Sequence, residues 1–140
     1  AVAYLRKIGA GTLELSNALG VALMRAGDVA KAVEIYRRLC VDSSGFVLKP
    51  NLPPLLKANY ATALLLTHNA AGCRTLLKEI ARSPEPYAQQ LAGAVDRWRR
   101  ALGWWQRAMF YLYGSEPPQT ITLDFPPGDL RVSREARPAA

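Results

Sequence analysis

The sequence predicts an all-α fold: antiparallel helical hairpins stacked as a short solenoid, closed by a long C-terminal helix and followed by an extended tail. Three observations predict it. Apolar residues recur at helical spacing through residues 15–39. A later stretch, 60–80, aligns with 19–39 without a gap at an offset of 41 residues. From Tyr87 to Leu112 one apolar stripe runs with four-three spacing.

The elements follow in order. "AVAYLRKI", residues 1–8, reads as the tail of a helix that ends at Gly9; the chain starts without Met, which fits a truncated N-terminus. In the first hairpin Leu15, Leu19, Ala22, Leu23 and Ala26 share one helical face. "AGD" then interrupts it. Gly27 suits a left-handed helix end, and Asp28 suits the cap of the next helix. Val29, Ala32, Val33, Tyr36 and Leu39 form the face of that second helix. So short a turn makes the two helices antiparallel neighbours. In the second copy Leu64 takes the place of Leu23, Ala63 of Ala22, Asn69 of Asp28 and Leu76 of Ile35. Leu77 falls on Tyr36, and His68 falls at the turn position of Gly27. "VDSSGFVLKPNLPP" between the copies is rich in Ser, Gly and Pro and reads as a loop. Helix pairs repeated at such a period mark a solenoid.

Leu19-Gly20, then Leu23, Gly27-Asp28, Ala32 and Tyr36 resemble a tetratricopeptide repeat, whose pattern runs Trp-x2-Leu-Gly-x2-Tyr, then Ala, then an aromatic. Ser16 stands in the place of the Trp and Leu23 in the place of the Tyr; in the second copy Ala61 replaces Gly20 and Cys73 replaces Ala32. The usual repeat is about 34 residues, so the intervening loop reads as an insertion of roughly seven. The resemblance covers residues 13–80. It implies a repeat at about 13–40, a second at about 54–81 and a capping helix at about 84–113. These form one helical domain over 1–114, with 115–140 as an extended Pro-rich tail.

Solenoids need an end helix over the last apolar face. The stripe of Tyr87, Leu91, Ala94, Trp98, Ala101, Trp105, Ala108 and Leu112 supplies it, with Ser83 as its cap and Gly103 as a point of bending. Trp104 and Tyr111 widen that face, and Phe110 lies away from it. In the tail, "TITLDF" alternates like a short strand with Ile121, Leu123 and Phe125 on one side. With no second strand to pair with, it is expected to lie extended over the helices or to act as a tether; "SREARPAA" is expected to be disordered.

The 140 residues suffice for one domain with a real core, and half of them are hydrophobic, which excludes a wholly disordered chain. No apolar run approaches the ~20 residues of a membrane span. The net charge of +7 is spread without a long basic run, so nucleic acid is not an expected partner. Cys40 and Cys73 are expected as buried thiols in a reducing, cytoplasmic setting, a disulfide between them being the other arrangement the sequence allows. One His in the chain makes a zinc site hard to assemble, and no phosphate loop or forced nucleophile–base pair occurs. No catalytic residue, metal or cofactor is therefore expected, and the chain reads as a non-enzyme.

Binding is the expected role. Stacked hairpins present a concave surface lined by the first helix of each pair. In the first repeat that lining is Glu14, Asn17, Val21, Met24 and Arg25; in the second it is Lys57, Asn59, Thr62, Leu65 and Leu66. The resemblance implies Asn17, Asn59, Lys57 and Arg25 as candidates to clamp a peptide carboxylate, whereas Val21 and the leucines point to an apolar or amphipathic segment. The expected partner is another protein, bound as a peptide or helix by a scaffold or adaptor, with self-association also open. The alternative is a peripheral membrane module using the Trp/Arg-rich residues 97–113. Single-stranded nucleic acid stacked on Trp104, Phe110 and Tyr111 beside Arg100 and Arg107 is the third.

Overall fold

Six helices account for the regular structure of the described residues, which in the computed structural model are 2–115, 117 and 121–130, with only the backbone described for 2–11. They are α1 (Val2–Arg25), α2 (Val29–Cys40), α3 (Pro54–Leu66), α4 (Ala70–Glu79), α5 (Pro86–Ala101) and α6 (Trp104–Tyr113). The all-α expectation holds: among the described residues the only β pairing is an isolated bridge between Val41 and Leu48. The expected disorder of 133–140 lies outside the described residues.

The two hairpins are built alike. Gly27 and His68 both have positive φ, +86° and +60°. The amides of Asp28 and Asn69 reach back to the Leu23 and Leu64 carbonyls at 2.9 and 2.8 Å. Those of Gly27 and His68 bond the Met24 and Leu65 carbonyls at 3.2 and 3.1 Å. One backbone solution, a left-handed residue that returns the chain onto the last helical carbonyls, therefore occurs twice at the offset read from the sequence. Glycine adopts it without strain, and His68 adopts it as a turn residue, as expected. The caps differ. Asn69 Oδ1 accepts the Gly72 amide at 2.8 Å, a bond worth about 1 kcal/mol. Asp28 occupies the cap position of α2 but turns its carboxylate to Lys31 at 2.6 Å.

α1 packs on α2, α2 on α3, and α3 on both α4 and α5. α3 is the centre of the molecule. Its residues from Leu55 through Leu65 are buried almost without interruption, because helices lie on two sides of it and the tail on another. Gly20 on α1 gives the Tyr36 ring on α2 its space, and Tyr36 in turn stacks on Tyr60 of α3 with ring centres 6.3 Å apart. Cys40 and Cys73 are buried free thiols, which decides the alternative left open by the sequence.

Four expectations are corrected. The N-terminal helix does not stop at Gly9: α1 runs through Gly9 and Gly11 to Arg25. A helical glycine costs only about 1 kcal/mol, too little to end a helix by itself. Leu15, Leu19, Ala22 and Ala26 face solvent with Leu23 only half-buried, and the inward face of α1 is Asn17, Gly20, Val21 and Met24. Ser83 does not cap the next helix; Glu85 holds that position and Ser83 Oγ accepts the Glu85 amide. The expected long C-terminal helix is broken at Leu102–Gly103. Leu102 turns inward in an extended conformation, Gly103 holds the cap position of α6, and the side chain of Gln106 accepts the Gly103 amide at 3.2 Å. The break resets the phase of the stripe. Phe110, read as lying away from the packing face, is the buried residue of α6 and meets Trp98 edge-on at 5.9 Å. Trp105 and Leu112, read as packing residues, are 62% and 75% exposed, and Trp104 is 77% exposed.

Candidate functional site

The inward face of α1, the middle of α3 and the start of α5 form a groove, and the C-terminal tail lies in it. Ile121, Leu123 and Phe125 pack against the core while Thr122 and Asp124 stay exposed. The alternation seen in the sequence is real, although no strand forms among the described residues. Phe125 meets Tyr87 edge-on at 5.8 Å, beside the cluster of Leu55, Ala58, Ile80 and Ala88. Asp124 and Arg97 form an exposed ion pair at the rim.

Residues 127–129 are held by their main chain. Arg25 donates from Nε to the Pro127 carbonyl at 3.2 Å and from Nη2 to the Gly128 carbonyl at 2.8 Å. The Gly128 amide donates to the Tyr87 hydroxyl at 2.6 Å. Asn59 pairs with Asp129 in both directions: its Oδ1 accepts the amide at 2.9 Å and its Nδ2 donates to the carbonyl at 2.9 Å. Proline has no amide hydrogen, so these bonds satisfy every main-chain donor and acceptor of Pro127, Gly128 and Asp129 with side chains of the helices.

A second set of bonds fixes those side chains. Tyr36 donates its hydroxyl proton to Asn17, with the Asn17 carbonyl at 3.2 Å and Oδ1 at 3.1 Å. Asn59 Nδ2 also donates to Asn17 Oδ1 at 2.8 Å. Thr62 uses its proton on the Ala58 carbonyl, so the 2.9 Å contact between Thr62 Oγ1 and the Tyr87 oxygen has Tyr87 as donor. Tyr87 is thereby left to accept from Gly128. Burial pushes the Tyr87 hydroxyl above the ordinary tyrosine range, with the Thr62 contact opposing, and this keeps the donating proton in place. Asn17, Asn59 and Thr62 are almost wholly buried, and polar groups so placed are costly unless bonded.

Gly128 fits against α1. A β-carbon there would lie 2.7 Å from Met24 Cε and 2.9 Å from Val21 Cγ2, and φ is +78°. Both facts restrict the position to glycine.

Of the expected lining, Asn17, Val21, Met24, Arg25, Asn59 and Thr62 gather around residues 127–129. Glu14 is exposed on α1. Lys57 reaches Glu79 of α4 at 3.4 Å instead of the groove. Leu65 is buried in the core and Leu66 packs on it, so neither is an open wall. Tyr87, Phe125 and Gly128 belong to the site and were missed. The stripe marked Tyr87 only as apolar, "TITLDF" marked Phe125 only as one side of a short strand, and Gly128 carried no signal in the Pro-rich tail. Among the described residues no group of three or more His, Cys, Asp or Glu side chains could hold a metal ion, and no helix is long and apolar enough to cross a membrane. No family model, no curated protein and no solved structure matches the chain.

Proposed function

We propose that the protein is an interaction module, a scaffold or adaptor of tetratricopeptide-like helical hairpins, whose groove between α1, α3 and α5 binds an extended peptide. Its work is recognition, without chemistry on the ligand. The observation that carries this reading is the complete side-chain satisfaction of the main chain of residues 127–129. Side chains aimed at a main chain, here the protein's own, accept a segment whatever most of its residues are, in the way a sheet edge accepts a strand. The interlock of Gly20 with Tyr36 and the twofold occurrence of one hairpin turn support the repeat assignment. The test is selection from a random peptide library on the full chain carrying Asp129→Pro, which removes an amide by which the chain's own tail holds the groove, followed by titration of the selected peptides with and without Arg25. Arg25→Ala leaves the core intact and is expected to weaken binding on the order of tenfold, the loss of hydrogen bonds from a charged donor. Selection of no peptide, or binding indifferent to Arg25, refutes the reading.

A second reading is favoured by α6. Trp104, Trp105, Leu112 and Tyr113 are exposed together, and residues 97–113 hold four arginines and no acid. Exposed indoles beside cations suit the headgroup region of an anionic bilayer. Vesicles of phosphatidylcholine with phosphatidylserine should then float the protein at low salt and blue-shift its tryptophan emission. The double variant Trp104→Ser, Trp105→Ser should abolish both effects. No flotation removes this reading.

A further inference from the structure

We infer that the ligand of the groove is an extended segment with an aromatic residue three positions before a glycine, joined by residues that need no amide donor, and that residues 125–129 of this chain occupy its place in cis. The inference rests on the groove reading above and adds the ligand's identity by chemical class.

Main-chain bonds hold such a segment but select little. Selection comes from two places. The first is the apolar recess of Leu55, Ala58, Ile80 and Ala88, with Tyr87 presented edge-on, which takes Phe125. A flat ring fills this space and gains an edge-to-face contact. The second is the contact with Val21 and Met24, where the positive φ and the absence of room admit glycine alone. Val21 is β-branched and buried, so it has little freedom to yield. Between the two stand Pro126 and Pro127, which present no N–H and enter with φ already restricted, reducing the entropy lost on binding. Aromatic-Pro-Pro-Gly is thus the pattern the groove is shaped for.

The occupant is covalently attached, so it competes with any free segment of the same kind. Apparent affinity for an outside ligand falls by the fraction of molecules whose groove is open. Variants in the tail, outside the helices, open it. Gly128→Val creates the clash with Val21 and strains φ. Asp129→Pro removes the amide that Asn59 accepts.

The experiment uses the full chain and the synthetic decapeptide ITLDFPPGDL, labelled for fluorescence anisotropy. Gly128→Val and Asp129→Pro are expected to bind it at least about tenfold more tightly than wild type. The same peptide with valine in place of its glycine should not bind either variant. Should Gly128→Val fail to fold, Asp129→Pro carries the comparison. If folded variants bind neither peptide, or both equally, the ligand class is wrong. In that case library peptides that still depend on Arg25 preserve the groove reading, and the failure of those peptides as well removes both.

Discussion

Gly20→Ala is expected to destabilise the protein by about 2 kcal/mol, although alanine favours a helix interior over glycine by about 0.5–1 kcal/mol. A β-carbon at Gly20 would stand 2.7 Å from Cε2 and Cζ of Tyr36 and 2.8 Å from its hydroxyl. The ring has nowhere to go. It is fully buried, stacked on Tyr60 and bonded through its hydroxyl to Asn17. Relief requires α1 and α2 to separate, and overpacking of that kind costs roughly 1–3 kcal/mol. The melting temperature should fall by roughly 5–10 °C. Gly93→Ala on α5 is the control. Its nearest neighbour would be the flexible end of Arg97 at 3.7 Å, so alanine there should be neutral or stabilising by up to about 1 kcal/mol. Thermal melts of both variants by circular dichroism measure the difference, and equal shifts in the two would contradict the close approach of Gly20 and Tyr36. Because Tyr36 anchors Asn17 and Asn17 anchors Asn59, Gly20→Ala should also loosen the hold on Asp129.

Alkali is the second strong lever. Burial pushes the hydroxyls of Tyr36, Tyr60 and Tyr87 above the ordinary tyrosine range, and it pushes the Cys40 thiol up to about 12. Lys49 and Lys57 oppose the shift at Cys40 without reversing it. All four groups therefore stay protonated in the folded chain at pH values where the unfolded chain has released its protons. Raised folded values give stability that is complete below the unfolded values, near 9 for the thiol and 10 for the phenols, and that declines as pH climbs from there toward the folded ones. For Cys40 the shift from 9.0 to about 12 corresponds to about 4 kcal/mol once both values are passed, and the tyrosines act in the same direction. Denaturation midpoints should thus hold to about pH 8.5 and then drop steeply. Tyrosinate absorbance of the buried rings should appear together with loss of helix. A midpoint that stays level to about pH 11 would contradict the burial of these groups.

What the sequence determined by itself is local. The 3.6-residue period marked the helices, and the offset of 41 marked two hairpins whose turns share one hydrogen-bond pattern. Turn geometry is written in a few adjacent residues, so Gly27 and His68 could be read directly. The same periodicity set Asn17, Val21, Met24, Arg25 and Asn59 apart as an open lining, whereas all of them but Arg25 are buried. The tertiary structure decided how those faces are used. The break at Leu102–Gly103 sends Phe110 inward and leaves Trp105 and Leu112 outside, because a helix that restarts after an extended residue loses the phase of the one before it. The tail reaches the groove across more than a hundred residues from Arg25, through bonds made by its main chain. Every residue type has the same carbonyl, and every one but proline the same amide donor, so such bonds leave little pattern in a sequence. Only Gly128 leaves a trace, and its place after two prolines points to no groove until Val21 and Met24 are seen against it.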